Sequence, residues 1–272
     1  MIIREDDIEL RLLLDAIYHR YQYDFRAYSE ASLRRRLASA VGHFRCGSLS
    51  GLQAIVLHEP EQFNELLRFL TVQVSDLFRD PSYFRSLREV VVPYLATYPS
   101  LKVWVAGCST GEEAYSLAIL LLEEGLLDRT LIYATDINPR SLRAAEEGVY
   151  EIERFARFSQ NYLDAGGRAS LSNYYTAQYG SAVFDRKLKA AILFSDHSLA
   201  TDHAFAEVEL VSCRNVLIYF EKALQDRAIG VLRDSLCRKG FLGLGIKESL
   251  RFSSHALAFS ELVPQDRIYQ RL

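Results

Sequence analysis

The spacing of apolar residues changes character at Tyr98-Pro99-Ser100, and a chain that obeys two periodicities in succession has to fold as two differently built halves. Before that point the period is helical. Leu33, Leu37, Val41 and Phe44 form one stripe, Leu49, Leu52, Ile55 and Val56 a second, and Phe63, Leu66, Leu67 and Leu70 a third. Turn signals at Cys46-Gly47-Ser48 and Glu59-Pro60 fall between them. After it, short apolar runs alternate with amphipathic stretches: KVWVA at 102–106, a helix from about 112, then TLIYATD at 130–136, AAILFS at 190–195, ELVS at 209–212 and GFLGLG at 240–245. Such alternation predicts a parallel sheet with helices on both faces. The closely spaced runs LAFSELV and DRIYQRL predict a closing hairpin.

About forty residues separate Gly148 from Ala190, where a helix-to-strand connection usually takes roughly 2–6. The spacing therefore predicts an inserted subdomain at about 150–190, with a small antiparallel hairpin around Gly180. The expected organisation is an all-α domain over 1–80, a linking helix over 81–98 and an α/β domain over 99–272.

Composition excludes several functions. A net charge of -3 argues against nucleic acid, whose phosphates call for a clustered basic excess. No apolar run reaches the roughly 18 residues of a spanning helix, and MIIREDDIEL carries acids where a signal peptide needs a basic end, so a cytoplasmic protein is expected. Cys46, Cys108, Cys213 and Cys237 form no CxxC pair, which suggests reduced thiols and neither a zinc site nor a disulfide framework.

The first strand of the second half runs into Gly107-Cys-Ser-Thr-Gly111-Glu-Glu, which opens a helix. Glycine lets a ligand approach the backbone, but Glu112 and Glu113 stand where a phosphate loop would carry Lys and Ser or Thr. Asp136 ends the next strand, where a carboxylate takes a ribose hydroxyl pair. A cationic nucleoside without phosphates fits both features, and S-adenosylmethionine is one. Two other readings compete. GCSTG also matches a serine nucleophile elbow at Ser109, although it follows the first strand and no oxyanion segment precedes it. A dehydrogenase would carry G-x-G-x-x-G instead.

With TVQVSDLFRD at 71–80, VWVAGCSTGEEAYSLA at 103–118, YATDI at 133–137, FSDHSL at 194–199 and SCRNVLIYF at 212–220, the chain resembles the CheR-type chemoreceptor glutamate methyltransferases over nearly its whole length. The resemblance implies a helical N-terminal domain and a Rossmann-like methyltransferase domain with an inserted antiparallel β-subdomain. It implies S-adenosylmethionine as cofactor, S-adenosylhomocysteine as product, and transfer of the methyl group to glutamate carboxylates of chemoreceptors. By position, the family's cofactor contacts fall on Gln73, Ser75, Arg79, Glu113, Asp136, Ser198, Leu199, Arg214 and Asn215, beside the Gly107 turn, and Tyr219 falls near the reacting methyl. The family usually has Asn at Gln73, Thr at Ser75, Phe at Leu77, Pro at Ala114 and Asn at Ser198. The alternative from another class is a non-catalytic signalling module that holds the cofactor or its product.

A glutamate carboxyl, with an ordinary pKa of about 4.3, is ionised at neutral pH and needs no general base to attack a sulfonium methyl. Arg79 or Arg214 is expected to orient it and Tyr219 to donate a hydrogen bond. The helix from Ser29 to Arg45 carries Arg34, Arg35, Arg36 and Arg45 against Glu30, a basic face suited to the acidic cytoplasmic helices of a receptor. The family members that grip a receptor's C-terminal pentapeptide resemble one another in a longer glycine-rich loop in the β-subdomain. Here 176–187 is short, so an enzyme that works without a tethering pentapeptide is expected; a monomer is expected as well.

Overall fold

The computed structural model describes residues 4–272. Met1, Ile2 and Ile3, which begin the stretch read for a signal peptide and the first expected domain, lie outside the described residues. The chain opens with α1 (Glu5–Tyr21), α2 (Glu30–Phe44), α3 (Leu49–His58) and α4 (Pro60–Leu70). The expected stripes supply their core: Leu33 and Leu37 of α2, Leu52 and Val56 of α3, and Phe63, Leu66, Leu67 and Leu70 of α4 are buried. The turn signals act as caps. The Ser48 hydroxyl accepts the Gly51 N–H, and Pro60 opens α4, where its missing donor costs nothing.

Residues 71–80 then run as a strap without regular structure into a helical stretch, α5 (Pro81–Ser86) and α6 (Val92–Leu95), joined by a π-type turn over Leu87–Val91. Pro93 has no N–H to donate, and the ladder slips so that the Val92 N–H reaches the Leu87 carbonyl, five residues back.

The α/β half comprises β1 (Leu101–Ala106), α7 (Glu112–Glu123), β2 (Thr130–Asp136), α8 (Pro139–Glu147), β3 (Val149–Glu151), α9 (Phe155–Asp164), β4 (Tyr175–Gln178), β5 (Ser181–Phe184), α10 (Arg186–Ala190), β6 (Ile192–Asp196), β7 (Val208–Cys213), α11 (Lys222–Ser235), β8 (Leu236–Leu244), β9 (Phe259–Val263) and β10 (Ile268–Arg271). Its seven-stranded sheet has the order β6-β2-β1-β7-β8-β10-β9. The first five strands are parallel, and β10 enters antiparallel between β8 and β9, the expected closing hairpin. Strand order reverses between β1 and β7, which opens a crevice at the carboxyl ends of these two strands.

The insertion is a second sheet, β3-β5-β4, and the hairpin around Gly180 is present, with a two-residue turn at Tyr179-Gly180 whose φ values are 50° and 77°. The apolar run at 190–195 begins as helix, because α10 extends to Ala190 and the strand starts at Ile192.

Side chains alternate across β1, so Val103 and Val105 enter one buried cluster and Trp104 and Ala106 the other. The 81–95 stretch packs into the first. Helices α1–α4 share the second with α11, so the N-terminal helices complete a face of the sheet. A short antiparallel contact locks the two halves: the Ser29 N–H donates to the Tyr219 carbonyl at 2.7 Å, and the Glu221 N–H to the Ala27 carbonyl at 2.9 Å. No helix among the described residues is long and apolar enough to cross a membrane.

Candidate active site

The crevice is an open-mouthed cavity whose empty space, mouth included, comes to about 950 Å³. Its floor is the turn after β1. Gly107 has φ 75°, and a Cβ there would overlap a Val216 methyl, so only glycine fits. Ser109 also has positive φ, and its N–H points at Asp136 Oδ2, 2.9 Å away. Asp136 Oδ1 accepts the Asn138 N–H at 2.9 Å. Burial pushes this carboxyl above the usual aspartate range, while the two N–H bonds pull the other way.

The two acids of the helix start part company. Glu113 faces the cavity, where Oε1 accepts the Ser212 hydroxyl at 2.7 Å and Oε2 pairs with Arg214 Nη1 at 3.0 Å. Glu112 is fully buried and turned away, bonded to the Thr110 hydroxyl at 2.7 Å and to Arg154 at 2.9 Å. Arg214 is held on every side, since Nη2 donates to the Arg79 carbonyl and to Asp80 Oδ2, and its guanidinium lies 4.1 Å from the Tyr83 ring centre.

The 71–80 strap closes another wall with Gln73, Ser75 and Arg79. Its ends are anchored to the α/β half: the Thr71 hydroxyl accepts from Asn138, and the Phe78 N–H donates to the Ser116 hydroxyl at 2.8 Å. Arg79 reaches only the Val74 carbonyl, at 3.4 Å, and pairs with no carboxylate among the described residues. The loop after β7 brings Asn215 and Tyr219. Buried Glu248 fastens that loop by accepting the N–H groups of Asn215, Val216 and, at 3.3 Å, Ile218. Sequence reading missed Glu248, because its role is set by a loop that returns thirty residues later.

Of the expected residues, Gln73, Ser75, Arg79, Gly107, Glu113, Asp136, Leu199, Arg214, Asn215 and Tyr219 all line this one cavity. Ser198 does not: its N–H donates to Asp202 Oδ2 at 2.8 Å and its hydroxyl accepts from Ala200. His197, which sequence reading passed over, lines the cavity in its place.

The three arginines expected to form a surface patch are placed differently from one another. Arg35 is exposed. Arg34 is pinned between Glu30 and Asp7. Arg36 turns inward to the cavity, donating to the Ser32 and Leu70 carbonyls with its guanidinium 5.6 Å from the Tyr219 ring centre.

Buried polar atoms without partners cluster around the cavity. Among the described residues there are eight such side-chain atoms, and six belong to residues that line it: Arg36 Nη2, Gln73 Nε2, Ser109 Oγ, Ser141 Oγ, His197 Nδ1 and Arg214 Nε. An orphaned buried group costs about 1–3 kcal/mol, so a ring of them marks a place where a polar ligand completes the structure. The Ser109 hydroxyl has no histidine partner, which leaves a serine nucleophile without its base. A nucleoside ribose against Asp136 and an amino-acid end against the Gly107 turn fit this donor set.

Comparison with known proteins gives the family. Residues 8–71 match the model for the CheR methyltransferase all-alpha domain, and residues 73–264 the model for the CheR methyltransferase SAM binding domain. The chain is 56% identical over 268 residues to the provisionally named methyltransferase Cher3 of Pseudomonas putida, covering 98% of each. It is 30% identical to chemotaxis protein methyltransferase 2 of Pseudomonas aeruginosa, over 84% of this chain and 79% of that one. Among solved structures, magnesium protoporphyrin IX methyltransferase from Synechocystis with bound SAH aligns over 78% of this chain and 95% of its own, with a TM-score of 0.38 and 16% identity. S-adenosylmethionine is the cofactor, and the chain belongs to the CheR methyltransferase family.

Proposed function

We propose that the chain transfers the methyl group of S-adenosylmethionine to glutamate side-chain carboxylates of bacterial chemoreceptors, leaving methyl esters. The observation that carries this reading is a pair of cations, Arg36 and Arg79, that reach the cavity with no carboxylate partner among the described residues. Two carboxylates would meet there, the cofactor's own and the substrate's. Burial already disfavours the Arg36 charge, so a neighbouring anion is welcome.

The cofactor supplies an electrophilic sulfonium methyl. A glutamate carboxylate is already ionised at neutral pH, so the site needs no base, and catalysis rests on holding the reacting atoms roughly 3–3.5 Å apart in line. Arg79 is free to orient the incoming carboxylate and Tyr219 to donate a hydrogen bond to it. Arg214 has both terminal nitrogens committed and acts by positioning, keeping Glu113, Asp80 and the strap in register.

In this reading the helical domain, residues 1–80, meets the cytoplasmic helices of a receptor through Arg35 and the basic end of α2, and the enzyme is a cytoplasmic monomer. The two-residue turn at Tyr179-Gly180 supports a mode of action that needs no receptor pentapeptide. Micromolar binding of such peptides, abolished by altering the hairpin, would refute that part. The main reading is tested by incubating receptor cytoplasmic fragments with enzyme and cofactor and mapping the modified residues by mass spectrometry. Methyl groups on glutamates are expected; methyl groups confined to lysine, arginine or termini would overturn it.

A further inference from the structure

The geometry points to His197 as the residue that recognises the purine of the cofactor, by accepting a hydrogen bond from its 6-amino group. The inference rests on S-adenosylmethionine as ligand and on the order of strands around the cavity. Asp136 ends β2, and Glu113 and Arg214 lie beyond β1 toward β7. With the ribose on Asp136 and the amino-acid end toward Arg214, the base must extend the other way, to the end of β6. There Asp196 pairs in register with Asp136, and His197 is the next residue. Ile137, next to Asp136, and Leu199, two residues after His197, are apolar residues that also line the cavity.

The histidine tautomer follows from its partner. Nε2 lies 3.0 Å from the His203 carbonyl, which can only accept, so Nε2 carries the proton. In the neutral ring Nδ1 is then a bare lone pair, and it is buried without a partner on a residue that lines the cavity. The ring is fixed edge-on to Trp104, 5.1 Å between centres, and tilted against Phe205 at 5.3 Å. A fixed, unsatisfied acceptor selects a ligand that brings a donor to it, and at the purine end that donor is the exocyclic amine. Ser198, where the resemblance had placed a cofactor contact, points into its own turn instead.

The test is calorimetric titration with S-adenosylhomocysteine and with its analogue carrying hydrogen in place of the 6-amino group, on wild type and His197→Val. Wild type should bind the analogue about tenfold more weakly or worse, as expected when a buried acceptor is left unpaired. The variant should bind the two ligands within about twofold of each other, since neither now meets an acceptor. Equal affinities in wild type, or an undiminished preference in the variant, would overturn the assignment. If neither ligand binds wild type, the cofactor assignment itself fails and takes this inference with it. Should the variant not fold, nitrogen-15 spectra of histidine-labelled wild type decide the matter: the His197 Nδ1 resonance should move with S-adenosylhomocysteine and stay with the analogue, and an unmoved or equally moved resonance would refute it.

Discussion

Replacing Asp136 with Ala tests whether the cavity is a nucleoside site, because the structure separates what the carboxylate does for the protein from what it does for a ligand. For the protein it accepts two N–H groups, from Ser109 and Asn138, each at 2.9 Å. Losing both acceptors would cost about 1–3 kcal/mol apiece if the donors stayed dry, but the cavity admits water. The substitution also relieves the desolvation that raises the Asp136 pKa. A net loss of about 1 kcal/mol, lowering the melting temperature by roughly 2–4 °C, is therefore expected without ligand. For the ligand, hydrogen bonds to a charged group contribute about 1.5–3 kcal/mol, so S-adenosylhomocysteine should bind roughly tenfold to 150-fold more weakly. Calorimetric titration measures the affinity, and a thermal melt without ligand measures the fold. A folded variant with unchanged affinity would refute the placement of the ribose.

Three further outcomes follow from named contacts. Gly107→Ala should destabilise by about 2–5 kcal/mol, from positive φ and overlap with Val216, and adding Val216→Ala should recover only the overlap share; a melt matching wild type would contradict the turn geometry. Arg35→Glu with Arg45→Glu should slow receptor methylation, and reduce its sensitivity to salt, while S-adenosylhomocysteine affinity stays constant; equal rates across salt concentrations would remove this face from receptor binding. Asp226 is held at a pKa of about 2 by the Ser253 and Ser254 hydroxyls and the Ser254 N–H, against an ordinary 3.8. A depressed carboxyl contributes stability above its unfolded pKa and loses it as pH falls through the folded one, so the wild type should lose more stability than Asp226→Asn between pH 3.8 and about 2, and parallel curves would disprove the anchor.

What was legible in the sequence was whatever local pattern alone decides. The glycine turn after β1 and the acid ending β2 stood out because backbone approach and ribose binding need those residue types at those places. Shorter and longer-range features did not. β3 has three residues, too few to show a period, and α10 took Ala190 because the apolar run does not mark where Lys187 and Lys189 stop being helical. Arg36 was counted with its neighbours as surface charge, yet it sits three residues after Leu33 and four before Ala40, both buried, and this stripe carries it inward. The exchange of Ser198 for His197 is a shift of one position, which reverses the side-chain direction at the end of an extended strand.

The central claim is that the methyl group ends on a carboxylate, and the chemistry of the product tests it most directly. Receptor cytoplasmic fragments labelled with methyl-tritiated S-adenosylmethionine in the presence of this enzyme should release their label as volatile methanol on brief treatment with alkali, because esters hydrolyse where methylated nitrogen does not. Replacing the receptor's modified glutamates with alanine should abolish the labelling. Label that enters the receptor and survives alkali would contradict the account.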